Sequence, residues 1–397
     1  MLKSCWVTLG RCSNKDLMMN NDFYSDKEQE GEFPKAYDAY QTARAQGKLE
    51  NLDFNEEEFE YVIDRLVEEG DTEGVMELSG MAFEKLPYSV GLLTRYCDTL
   101  ILSGNPDKAL EILSLYEDSY QGSAMVQFLL ARAHVALKKF RHARDYFYRA
   151  LECGEGETDI VESVCALAQD CIDSGNYRES LFYLDRAGRL GRLPYEYYND
   201  YAFCYDRIDE PEKAMEYYQL YLDQNPFNDT VWFNVGTVHA RLKDYEKAIE
   251  AFEYSIALNN NNSSSLYNLA VVFMNLQRYR EAAVAFEQFV EIDTDVLGLL
   301  GLGESYIRLG RNSDAVDQFA KVIASDDKVA EGHAGLNTVK AIECYSKGDI
   351  IGFKSAFMDI YRTGTAWIGV VYDLLPQLEN DKQFIDFLLE LKQNDNI

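Results

Sequence analysis

Proline is scarce in this chain, with 7 residues in 397, and glycine at 25 is too thin to supply the turns of a protein built from many short strands. These two residues punctuate hairpins and sandwich loops, so their shortage argues against an all-β architecture. Histidine is scarcer still, at His134, His142, His239 and His333 only. No H-E-x-x-H pair, phosphate-binding glycine loop or G-x-S-x-G elbow occurs, so neither a nucleophile with its base nor a metal or cofactor site is expected. Positive charge is deficient: 38 Lys and Arg face 68 Asp and Glu, a formal net charge of −30 that repels a phosphate backbone and disfavours nucleic acid as a partner. Cysteine stands at 5, 12, 97, 153, 165, 171, 204 and 344, never as CxxC. The thiols therefore read as small apolar residues on helix faces, in a reducing compartment such as the cytoplasm. No apolar run approaches the length of a bilayer span, and the opening stretch around Lys3 makes a poor secretory signal.

What the chain has is a helix-pair pattern repeated eight times between Glu56 and about Asp326. One small residue early in each second helix gives the series Val75, Ala109, Ala143, Ser180, Ala214, Ala248, Ala282 and Ala315, with steps of 34, 34, 37, 34, 34, 34 and 33. Twelve residues upstream lie Ile63, Cys97, Ala131, Ala168, Ala202, Gly236, Ala270 and Gly303, mostly small, as two closely crossing helices require. Four residues downstream come Ser79, Leu113, Phe147, Leu184, Tyr218, Phe252, Phe286 and Phe319, mostly bulky, so large and small alternate in the packing. Turns such as "LSGNP", "DSGNY" and "RLGRN" carry the Gly or Asn at which a helix stops and reverses.

The best-formed unit, Asp229 to Asn262, places Trp232, Val235, Gly236, Tyr245, Ala248, Phe252 and Ile256 at fixed offsets. The unit before it repeats the scheme with Tyr198, Tyr201, Ala202, Tyr205, Ala214, Tyr218, Tyr221 and Pro226, and the unit after it with Leu266, Leu269, Ala270, Phe273, Tyr279, Ala282, Phe286 and Phe289. These residues resemble the tetratricopeptide repeat family. The resemblance implies an all-α, right-handed α-α superhelix acting as a non-catalytic scaffold without cofactors, its concave groove lined by the first helices. The step of 37 is expected to place its extra residues in the loop "LECGEGETD".

Around the repeats, residues 1–19 read as a disordered or upstream extension and residues 20–55 as an acidic segment with one short helix. Residues 56–329 hold the eight repeats, and 330–397 a degenerate repeat with a helical cap. Carried onto this sequence, the family's groove positions select Asn199, Phe203, Phe233, Asn234, Thr237, Arg241, Tyr267, Asn268 and Val271 in the central units, aromatics flanked by amides that suit an extended peptide. The competing reading is that Phe233 and Tyr267 pack between neighbouring units. Upstream the same positions hold Glu60, Asp64, Asp98 and Arg132, an acidic groove entry that favours a protein or peptide with a basic segment. Chaperone-binding members grip the carboxylate of an acidic C-terminal tail with Lys and Asn. The position of the first Lys here carries Glu60, Thr94, Phe128, Cys165, Asn199, Phe233, Tyr267 and Leu300, so such a tail is not the expected partner. The alternative function is a repeat-based regulator or sensor with a small ligand or signalling peptide in the superhelix cavity. His134 and His239 occupy a position at which the family carries Tyr and are expected to be satisfied packing residues. Gly301 and Gly303 lie inside a first helix and belong to the repeat rather than to a dinucleotide loop.

Overall fold

The computed structural model describes residues 32–153, 157–191, 193–325 and 329–394, so the expectation for residues 1–19 falls outside the described part. Among the described residues there are 21 α-helices, two short 3-10 turns and no strand. They form two compact units that divide between Tyr221 and Leu222.

In the first unit, α1 (Glu32–Ala45) and a 3-10 turn (Leu49–Asn51) precede the pairs α2–α3 (Glu56–Glu69, Thr72–Lys85), α4–α5 (Val90–Leu102, Pro106–Tyr116) and α6–α7 (Ala124–Ala136, Phe140–Glu152). The pairs α8–α9 (Glu157–Asp173, Tyr177–Leu190) and α10–α11 (Tyr197–Arg207, Pro211–Leu222) follow. The second unit holds α12–α13 (Asp229–Arg241, Tyr245–Leu258), α14–α15 (Ser263–Asn275, Tyr279–Ile292) and α16–α17 (Val296–Arg308, Asn312–Ala324). It continues with α18–α19 (Val329–Ser346, Ile350–Thr363), α20 (Ala366–Leu374), a 3-10 turn (Pro376–Asn380) and α21 (Lys382–Asn394). First helices pack on the second helices of their own pairs in α2–α3, α4–α5, α6–α7, α8–α9, α12–α13, α14–α15, α16–α17 and α18–α19, and also side by side, α2, α4, α6 and α8 in one unit and α12, α14, α16 and α18 in the other.

Local chemistry sets the helix ends. Asn55, Asp71, Ser89, Asn228, Asn262 and Asp349 each accept a backbone N–H of the first turn with the side chain. Inside the pairs, one residue adopts the left-handed conformation that lets its own and the following N–H bond back to the helix end. Gly310 (φ 74°) does this with N–H bonds to Ile307 and, from Arg311, to Tyr306. Lys138, Asp209, Lys243 and Gln277 take the same role at φ 57–65°, with a Cβ that crowds the backbone there. The extra length at the step of 37 does not sit wholly in the loop, because α8 starts at Glu157 and runs 17 residues where α6 runs 13. One more turn of helix therefore absorbs it, and the register of Cys165 and Ala168 against the next pair is kept.

The core is the alternation of large and small made physical. Phe147, Leu184, Tyr218, Phe252, Phe286 and Phe319 are wholly buried. A Cβ added to Gly236 would stand 2.7 Å from the Phe252 ring, and one added to Gly303 would stand 2.5 Å from Phe319. Phe319 fills a second small site at Gly335, 2.6 Å from an added Cβ, and so ties α17 to the helices on both sides. The far end is closed by Trp367, edge-on to Phe319 at 5.2 Å, and by Phe384, which meets Phe357 at 5.0 Å and Phe353 at 5.6 Å. Leu374, Leu388 and Leu391 pack half-buried around this cluster.

Two substitutions test this packing by urea unfolding followed by helical circular dichroism. Gly303→Ala forces a methyl into the Phe319 ring and lowers stability by about 1–3 kcal/mol. Lys243→Gly relieves a left-handed Lys and raises stability by roughly 0.5–1 kcal/mol, the opposite sign from most glycine substitutions.

Candidate partner-binding face

In the first unit the first-helix row is held together by charge. Arg95 of α4 reaches back to α2, where it pairs with Asp64 and lies 3.6 Å from Glu60. Arg132 of α6 pairs with Asp98 of α4 and donates from Nε to Asp170 of α8 at 2.6 Å, so one guanidinium joins three consecutive first helices. Burial works against the charge on Arg132, yet Asp98 and Asp170 together hold its pKa above the ordinary value. Burial also raises the pKa of Asp170, outweighing Arg132, and that of Glu60, outweighing Arg95. The acidic entry residues Glu60, Asp64 and Asp98 are therefore not bare carboxylates awaiting a partner. Four carboxylates against two guanidiniums still leave this row two charges negative, and the Glu60, Asp64 and Asp98 side chains are about a quarter to a third exposed. Sequence reasoning picked out Arg132 but missed Arg95 and Asp170. The signal was present as opposite charges 31, 34 and 38 residues apart, close to one repeat.

The central residues behave differently. Asn199 is buried and its Oδ1 has no hydrogen-bond partner, while Phe203 is buried between the edge-on Tyr177 ring at 5.8 Å and the Arg207 guanidinium at 5.1 Å. In the second unit Phe233, Asn234, Tyr267, Asn268 and Val271 are all 1% exposed or less. Phe233 packs on Phe252 at 6.0 Å, and Tyr267 on Phe286 and Phe289 at 5.8 and 5.4 Å. These side chains pack within the helix stack and do not line an open groove. The small residues beside them bring neighbouring first helices so close that the position three before the small site is covered in all three units, and the position one after it at Phe203 and Val271 but not at Thr237. Of the nine central residues only Thr237, half-exposed with Oγ1 donating to the Phe233 carbonyl at 3.0 Å, and Arg241 reach solvent. Two repeats on from Arg241, Arg308 is enclosed by Glu304 at 3.1 Å, the Tyr279 hydroxyl at 3.1 Å and Asp373 of α20 at 3.0 Å. The cap thus covers the row at α16.

His134 and His239 lie in the packing, but neither is satisfied at its buried Nδ1. His134 stacks on His142 and Tyr146, each at 5.3 Å, and its Nδ1 has no hydrogen-bond partner. Burial, then His142 and Lys139, push its pKa down. His239 Nδ1 stands 3.6 Å from Asp244. Cys97, Cys165, Cys171 and Cys204 are buried free thiols. Among the described residues no group of His, Cys, Asp and Glu could hold a metal ion, and no helix is long and apolar enough to cross a membrane. A concavity of about 400 Å³ lies between α1 and the following 3-10 turn, lined by Asp38, Thr42, Gln46, Lys48, Asn51 and neighbours. It is not on the first-helix row where the small-ligand alternative would need it.

Removing the shared cation is the direct test of the ion-pair row. Arg132→Met leaves Asp98 and Asp170 facing each other and costs about 3–5 kcal/mol in urea unfolding at neutral pH. Without Arg132 the folded-state pKa of Asp170 lies further above its unfolded value, so the folded chain binds more protons. The deficit then shrinks as pH falls through that raised pKa.

Comparison with known proteins adds to this geometry. A family model described as anaphase-promoting complex, cyclosome, subunit 3 matches residues 198–289, and a tetratricopeptide repeat model matches residues 267–330. No curated protein matches the chain. Among solved structures, the Cut9–Hcn1 hetero-tetramer of the APC/C is 17% identical, covering 81% of this chain and 65% of that chain, with a TM-score of 0.39. The C-terminal part of a TPR repeat-containing protein from Cytophaga hutchinsonii is 15% identical over 74% of this chain and 99% of its own, with a TM-score of 0.45. PilF of Pseudomonas aeruginosa is 15% identical over 56% of this chain and 100% of its own, at 0.43. This chain spans about two thirds of the Cut9–Hcn1 chain it matches, and at such TM-scores nothing about it rests on these likenesses. Tetratricopeptide-type family models thus match residues 198–330, about a third of the chain, and all-helical pairs stand on either side of that stretch.

Proposed function

We propose that this chain is a non-catalytic binding scaffold whose first helices receive a partner protein through a segment rich in Lys and Arg. Protein interaction is the general role of tetratricopeptide-type repeats, and the finer reading concerns which surface and which partner. The observation that carries it is the row Glu60, Asp64, Asp98 and Asp170, which stays two charges negative after Arg95 and Arg132 are paired and remains partly open to solvent. A basic side chain entering there completes the neutralisation and displaces little water from already paired groups. Within the same unit Asn199 Oδ1 is a buried acceptor still lacking a donor, which a backbone N–H of the partner could supply after a small local opening. In the second unit Thr237 and Arg241 are the accessible part of the first-helix row, with Phe233, Asn234, Tyr267, Asn268 and Val271 as the floor that fixes their positions.

The test is fluorescence anisotropy with short labelled peptides, one rich in Lys and Arg, one rich in Asp and Glu, one neutral. The basic peptide should bind and weaken as salt is raised. Glu60→Gln with Asp64→Asn, which removes only part-exposed ion pairs of small energetic weight, should lower its affinity about tenfold while the fold is kept. Equal binding of the acidic peptide, or an affinity unchanged in the double variant, would contradict the proposal.

A further inference from the structure

The second unit carries an apolar surface that its own packing does not use. Along α13 the exposed face runs Glu250, Tyr254, Leu258, one turn apart each, and along α15 it runs Val284, Gln288, Ile292 at the same register one repeat later. Tyr254 is 57% exposed and Val284 53%, while Leu258 and Ile292 are near 40%, so two helix faces that should be polar in water present a mixed apolar stripe. Tyr254 is also pre-set. Its ring stacks on Trp232 at 4.8 Å and 24°, and Trp232 is pinned by its Nε1–H, which donates to the Pro226 carbonyl at 2.8 Å. Phe227, the next residue, is 79% exposed beside that bond. An aromatic held in one orientation and left open loses little entropy when it is covered.

The charges around the stripe choose the occupant. Glu250, Glu253 and Glu291 are exposed and none has an ion-pair partner among the described residues; the exposed Arg280 stands one turn before Val284 at the start of α15, and Lys247 is engaged by Asp244 at 3.2 Å. A second copy of a chain with net charge −30 would bring carboxylates against carboxylates. We infer that the outer faces of α13 and α15 form a docking surface for an amphipathic helix of a partner protein, with apolar residues over Tyr254, Leu258, Val284 and Ile292 and with Lys or Arg beside Glu250, Glu253 and Glu291. This surface is built from second helices of the second unit and the acidic row from first helices of the first unit, so the two share no residue and are separable by substitution.

The test uses the full chain and a synthetic helix of Leu and Lys with all Leu on one face. Two controls accompany it: the same composition with Leu spread around the helix, and a version with Glu for Lys. Hydrogen exchange with mass spectrometry should show protection over residues 250–258 and 284–292 with the amphipathic Lys helix. Tyr254→Ser with Val284→Ser, both exposed and so compatible with the fold, should weaken its affinity about tenfold, whereas Glu60→Gln with Asp64→Asn should not change it. Protection elsewhere, equal binding of either control, or a concentration-dependent dimer dissolved by the same two Ser substitutions would each overturn the inference.

Discussion

The contact on which the structure depends is a large side chain of a second helix set against a small residue of a first helix, made in every repeat but the first, where Ser79 and Ile63 stand at these positions. Phe252 against Gly236 and Phe319 against Gly303 leave no space for even a methyl group. Such a contact brings two helix backbones close, orients them, and leaves one apolar side available for the next pair. Because successive pairs repeat this contact, apolar surface is buried in a core that lengthens as pairs are added. Stability is then a sum of local terms, each sensitive to the volume of one or two side chains.

The same closeness decides what the first helices can offer to a partner. Small residues draw neighbouring first helices together, and this hides Phe233, Tyr267 and Val271, together with both amide atoms of Asn234, which have no hydrogen-bond partner. An unpaired buried amide is costly, so Asn234 marks a place where stability is given up within the row. Where the row is acidic, closeness has another result. Arg95 and Arg132 bridge from one first helix to the next, and charges that would repel across the repeats become part of the cohesion. The remaining negative charge is what distinguishes this face from a neutral packing surface.

The helix pairs were legible in the sequence because their information is local and repeated. Period, small site and turn residue are each visible in a window of one repeat, and Gly70, Gly104, Gly175, Gly310 and Gly348 stand at the reversals with φ near 75°. Lys138, Asp209, Lys243 and Gln277 do the same work without the expected residue, and there the repeat register rather than the turn chemistry gave the position. The length of α8 was not legible, since "GETD" reads equally as loop or as first turn. Exposure on the first helices was not legible either. A register rule states which way Phe233 points, but not how near the adjacent first helix lies, which depends on Gly236 and Ala270 together with the rings behind them. The pairing of Arg132 with Asp98 and Asp170 needed two repeat offsets considered at once, and the cap's Asp373 on Arg308 had no periodic signal because α20 lies beyond the regular repeats.

Each proposed binding face presupposes well-ordered helix pairs within its own unit, since the acidic row and the apolar stripe are each built from residues of successive pairs. Native-state hydrogen exchange of the full chain measures this directly. The account predicts that the slowest amides lie where the small and large residues meet, around Ala248–Phe252, Ala282–Phe286 and Ala315–Phe319, with protection falling toward the ends of each helix. Slowest exchange in the inter-helix turns, or uniformly weak protection at these contacts, would contradict it.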